Sequence, residues 1–235
     1  MLADLIVNPP LWIELSAVVA GALTGALFAA RRGLDLVGIV AIAIVAGLGG
    51  GMIRDILLST VPAALEDPAY LVAVIAAAAV GAFFASAVQR LRWPLSGLES
   101  LSLGLFAVIG TQKTLSAGLP IAAALLLGVI TGIGGSLLRD LFTGEVPPEA
   151  FQRGAPFASA AALASVVYVV LVQGAHVQKL TAEIAAIALV FLVRSMAIWR
   201  GWTMPPATDL TPRRLRPRER PSDEEPGEEE PTAAG

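Results

Sequence analysis

Seven apolar runs, each long enough for a helix to cross a lipid bilayer, follow one another through residues 12–31, 36–56, 68–88, 97–115, 119–139, 155–173 and 180–199. A hydrocarbon core about 30 Å thick is crossed by about 20 helical residues. Between the runs stand helix breakers or charges in short loops. These are Arg31-Arg32-Gly33, Val61-Pro62 with Glu66-Asp67-Pro68, Arg90 to Pro94, Ser116 to Pro120, Glu145 to Pro148, and Gln173 to Lys179. Backbone polar groups in lipid must be satisfied within their own segment, which leaves helices. The alternation over segments of about ten residues that marks a membrane barrel is absent. The expected fold is therefore all-α, a polytopic membrane protein with seven transmembrane helices. Composition agrees, since 56% of residues are hydrophobic, 15% are charged and the mean hydropathy is +0.74, too little charge to cover a soluble domain.

The same composition narrows the chemistry. There is no cysteine and a single histidine, so thiolate metal sites, thiol nucleophiles and imidazole clusters are excluded. No run offers a nucleophile beside a base or a cluster of metal ligands, so an enzyme is not expected. Nor is a cofactor, or any metal beyond transient monovalent cations. The opening residues MLADLIVNPP lack the basic region and small-residue cleavage site of a signal peptide, and no removal is expected. From Thr203 the text turns to prolines, five arginines and an acidic block, which reads as a disordered tail. Its arginines suit a topology signal or anionic lipid headgroups; no nucleic-acid partner is expected.

Orientation follows from the short loops. Arg31, Arg32, Arg90, Arg92, Arg153 and the tail arginines fall on one side, with little besides Lys179 on the other. The N-terminus is expected outside and the C-terminus in the cytoplasm, in the plasma membrane of a bacterium or archaeon.

An internal repeat organises the runs. Shifted by 85 residues, GLGGGMIRDILLSTVP from Gly47 to Pro62 lies without gaps on GIGGSLLRDLFTGEVP from Gly132 to Pro147, with seven of sixteen positions identical. The same offset puts Glu14 on Glu99, Gly25 on Gly110 and Gly33-Leu34 on Gly118-Leu119. Residues 12–90 and 91–175 thus form two three-helix repeats, with 1–11 an extracytoplasmic segment, 176–202 a seventh helix and 203–235 the cytoplasmic tail. Three crossings is an odd number, so the second copy enters from the opposite side and the halves are inverted.

The repeated motif G-x-G-G-[GS]-x-x-R-D closes the second and fifth runs. Gly47, Gly49, Gly50 and Gly51, and Gly132, Gly134, Gly135 with Ser136, strip side chains from one stretch of each helix, each glycine costing about 1 kcal/mol relative to alanine. Two readings follow. The helices bend or unwind there, and opened carbonyls with Thr131 and Ser136 replace an ion's water; or the small residues serve tight packing. Arg54, Asp55, Arg139 and Asp140 favour a pathway, because charges at membrane depth line one or pair with each other. Inverted repeats place Glu14 level with Arg54 and Glu99 level with Arg139, and both pairs are expected to be close. Lys113 reads as the remaining charge within the runs, either bonding opened carbonyls beside the glycines of the second run or snorkelling outward. Gly21 and Gly25, and Ala76 to Gly81, suit close helix contacts.

With its doubled glycine motif, Arg-Asp ending and three-plus-three repeat, the chain over about residues 10–200 resembles the prokaryotic trimeric intracellular cation (TRIC) channel family. That family overlaps bacterial membrane proteins once named for an uncharacterised domain and sometimes called glycine transporters. The resemblance implies a homotrimer in lipid with one hydrophilic pore per subunit, bounded by the second and fifth helices kinked at their glycines. It implies conduction of monovalent cations, chiefly potassium, with potassium or sodium ions as the passing partners. A secondary carrier of a small solute such as glycine is the alternative, since inverted repeats also suit alternating access. Ser136 departs from the triple glycine and adds a hydroxyl to the path. Animal relatives carry a lysine-glutamate pair for inositol lipid where this chain has Met52-Ile53, so lipid regulation of that kind is not expected.

Overall fold

The computed structural model describes residues 9–88, 92–145, 148 and 157–202. The expected tail from Thr203 and the breaks at Arg90 and at Val146-Pro147 lie outside the described residues, as does Arg153. What is described is all-helical: α1 (Leu11–Arg31), α2 (Leu36–Leu57), a short α3 (Ala63–Glu66), α4 (Pro68–Val88), α5 (Arg92–Ser116), α6 (Ile121–Thr143), α7 (Ala158–Val169) continued by a π-helical turn (Val170–Gly174), and α8 (Lys179–Trp199). Four of these, α1, α2, α6 and α8, are long and apolar enough to cross a membrane; apolar stretches of α4 and α7 are shorter. α5 is long but polar, and it turns Ser100, Thr111, Gln112 and Thr114 into the protein, where all four are buried. The sequence reads α3 as loop. It is nucleated in space by Asp55, whose Oδ2 accepts the Ala63 N–H at 3.1 Å.

Helix ends repeat with the sequence. Gly33 after α1 and Gly118 after α5 both take left-handed backbone, φ 74° and 78°. The following amides reach back alike, Leu34 to the Ala29 carbonyl at 3.2 Å and Leu119 to that of Thr114 at 3.3 Å. Ser59 after α2 and Gly144 after α6 form a second such pair, φ 56° and 70°. Thr60 and Glu145 then donate to the Asp55 and Asp140 carbonyls, both at 2.9 Å.

α1 packs on α2, α4 and α5, while α5 also packs on α6, α7 and α8, and α2 crosses α6. Missing side chains set these contacts. A β-carbon on Gly25 would lie 2.6 Å from that of Ala46, and one on Gly81 2.6 Å from that of Ala26. At the crossing, a β-carbon on Gly50 would run into the Thr131 carbonyl oxygen, and one on Gly135 into that of Ala46. The two collisions are the same contact seen from each half. Both α2 and α6 continue as α-helix through their glycine motifs, which corrects the expected unwinding. The physical reason is close approach: backbone meets backbone, and dispersion across the contact offsets the propensity cost of the glycines.

Candidate functional site

Two buried charge clusters stand at opposite ends of the α2–α6 crossing. At the end where α1 begins and α2 finishes, Arg54 donates through Nε to Asp55 Oδ1 at 2.8 Å, with a second approach from NH2 at 2.7 Å. Both residues are buried. Glu14, one turn into α1, accepts from the Tyr70 hydroxyl at 2.7 Å and from Lys113 Nζ at 2.9 Å. Lys113 therefore neither bonds glycine carbonyls nor snorkels away. Glu14 and Arg54 line one cavity but are not partners.

At the other end Arg139 donates through Nε to Asp140 Oδ1 at 2.8 Å and through NH1 to Glu99 Oε1 at 3.1 Å. Its guanidinium lies 4.3 Å from the centre of the Phe28 ring. Arg194 of α8 stands 4.0 Å from Glu99 Oε2 and 3.9 Å above the Phe157 ring. Each end thus gathers two carboxylates with two cations, Glu14 and Asp55 with Arg54 and Lys113, then Glu99 and Asp140 with Arg139 and Arg194. Four ionised groups of zero net charge are far cheaper to bury than one alone.

The offset of 85 explains why the first acid takes a different partner. Phe28, on which Arg139 stacks, corresponds to Lys113. In place of an aromatic face there is an ammonium, and it pairs with Glu14. Reading Lys113 as the last charge within the runs leaves out Glu183 and Arg194, two ionisable residues in the run 180–199 and both buried. Their position in that run was the available signal. Tyr70 and Phe28 carried none beyond lying on apolar helices.

A cavity of about 20 Å³ adjoins each cluster, roomy enough for a water. The first is lined by Glu14, Gly47, Gly51, Arg54 and Asp55 among others. The second is lined by Glu99, Gly132, Gly135, Ser136 and Arg139 among others. A wider hollow of about 270 Å³, holding Asp55, Glu66 and Lys113, adjoins the first. The motif glycines therefore divide. Gly47, Gly51, Gly132 and Gly135 border the cavities. Gly49 faces Leu138, Gly50 faces Thr131, and Gly134 faces Gly50 across the helix contact. Thr131 is buried, its hydroxyl donating to the Leu127 carbonyl at 2.6 Å.

Known proteins share this sequence pattern and fold. The sequence model described as "Glycine transporter" matches twice, over residues 11–86 and 97–173. A UPF0126 membrane protein of Deinococcus radiodurans is 36% identical over 152 residues, 64% of this chain and 71% of that one. The UPF0126 inner membrane protein YadS of Escherichia coli K12 is 29% identical over 189 residues, 80% and 90% of the two chains. Among solved structures, the TRIC trimeric intracellular cation channel orthologue from Rhodobacter sphaeroides superposes with a TM-score of 0.75 at 33% identity, covering 80% of this chain and 96% of that one. A second TRIC cation channel gives 0.73 at 27% identity, covering 83% and 95%. The chain is thus a membrane protein that belongs to the glycine transporter family, with UPF0126 membrane proteins among its relatives and TRIC channels as its structural neighbours.

Proposed function

We propose that the protein is a cation channel, a homotrimer whose subunits each conduct monovalent cations, chiefly potassium, along the seam between α2 and α6. The observation that carries this reading is the pair of buried charge clusters, each beside a small cavity that its charged side chains help to line and set at opposite ends of one glycine-lined crossing. Likeness over nearly the whole length of a trimeric intracellular cation channel orthologue supports it. In this reading the path is walled by Gly47, Gly51, Gly132 and Gly135. Its polar contacts come from carboxylates and the Ser136 hydroxyl rather than from opened carbonyls. Gly49, Gly50, Thr131 and Gly134 set the helix spacing. Seven helices span the membrane, α1, α2 and α4 forming one repeat, α5, α6 and α7 the inverted second, and α8 the added seventh, with the short α3 outside the count, the N-terminus outside and the tail in the cytoplasm.

Single-channel recording from purified protein in planar bilayers tests the proposal. Discrete current steps carried by potassium are the expected outcome. Saturable uptake of glycine without current steps would instead identify a carrier, as the family's description suggests.

A further inference from the structure

We propose that Phe106 is the barrier to permeation, a single aromatic ring that separates the two cavities beside the charge clusters; this rests on the channel reading above. Among the described residues, Phe106 is the one that lines both cavities, and it is buried. It sits on α5, two turns beyond Glu99, and its ring reaches α1, where a β-carbon on Gly21 would stand 3.2 Å from Cε2. Gly21 is also the residue that the offset of 85 aligns with Phe106. One copy of the repeat therefore carries a benzyl group at this place and the other carries a hydrogen. Where two equivalent elements meet, equal side chains compete for one volume, and here one ring occupies the space of both.

The neighbours of the ring make it a barrier rather than a lining group. On one side Val18, Leu48 and Ile109 line the first cavity together with Glu14, Arg54 and Asp55, and on the other Leu103 and Phe157 line the second together with Glu99 and Arg139. A hydrated cation moving from Glu14 to Glu99 would have to pass an apolar collar closed by the ring. Such a constriction excludes water and hence ions until the ring turns aside. A phenyl group rotates about χ1 and χ2 without disturbing the helix, so this barrier is able to move while α2 and α6 stay packed.

The test uses the full chain reconstituted in liposomes. Removing the ring with Phe106→Ala should raise potassium flux about tenfold, while Phe106→Leu, which keeps most of the bulk and guards against misfolding, should raise it less. A second readout is independent of conduction. Because the chain has no cysteine, Ser102→Cys places a sole thiol in the second cavity. With Phe106 present, silver ion, a thiol-binding cation small enough for a water-sized cavity, should reach it from the Glu99 side alone; with Phe106→Ala, from both sides. Flux in the parent protein that neither substitution changes, with labelling still one-sided, overturns the barrier and leaves the channel standing. Two-sided labelling with no flux in any variant upholds the barrier and sinks the channel. Labelling from both sides before the ring is removed also overturns the barrier.

Discussion

Arg54 and Arg139 hold equivalent places in the repeat but not equivalent surroundings, and substitutions should expose the difference. Arg54→Ala leaves Asp55 without its cation, whereas Arg139→Ala leaves both Asp140 and Glu99 short of theirs. Breaking a buried pair costs about 3 to 5 kcal/mol. The Arg139 variant should therefore lose more of its thermal stability in detergent, and Glu99→Arg combined with Arg139→Glu should recover part of the loss. A double variant no better than the worse single one would reduce the pairing to coincidence of place. The exposed pair Ser59 and Gly144 offers a cleaner measurement, since both take left-handed backbone, a β-carbon on Gly144 would meet nothing within 4 Å, and only the side chain differs. Gly144→Ala should cost about 1 kcal/mol, and Ser59→Gly should gain up to about that much, read from denaturation midpoints. At this scale the sequence announced which charges are costly. It did not announce Glu14's partner, because that depends on whether the matching position holds Phe28 or Lys113 and on where Tyr70 arrives from α4.

The α2–α6 crossing is the element on which both halves depend. Gly50→Ala or Gly135→Ala drives a methyl group into a carbonyl of the opposite helix, and overpacking of that kind costs about 1 to 3 kcal/mol. Gly51→Ala meets nothing nearer than 3.8 Å, the Arg54 guanidinium, so it should fold normally. Thermal stability measured in one detergent should rank Gly51→Ala near the parent and the other two well below it. If potassium flux falls in the Gly51 variant while stability holds, the glycine serves the path and not the packing. The sequence made these glycines conspicuous yet left their use open. A run of glycine records that side chains are absent, and only the neighbouring chain decides whether water or backbone fills the space. Short α3 was illegible for a related reason, its first amide being held by Asp55 eight residues earlier.

For the whole molecule, the repeat was readable from residues alone, and its helix ends and glycine contacts recur in the structure at the same spacing. The number of membrane crossings was less readable, because α5 keeps its polar residues where hydropathy counts against a span. Assembly is settled by mass: in mild detergent the purified protein should run as a trimer, and a dominant monomer would overturn that part of the proposal. Single cysteines placed in the Gly118 and Gly33 turns should label from opposite faces of the membrane if the halves are inverted. The reciprocal contact of Gly50 with Thr131 and of Gly135 with Ala46 also constrains how such a chain diverges over time. After a duplication the copies ordinarily drift apart, yet here each half holds a veto over the other's side chains. Among descendants Gly50 and Gly135 should stay glycine, since each meets a main-chain carbonyl that no substitution in the other half removes, whereas the matching positions Gly21 and Phe106 already differ.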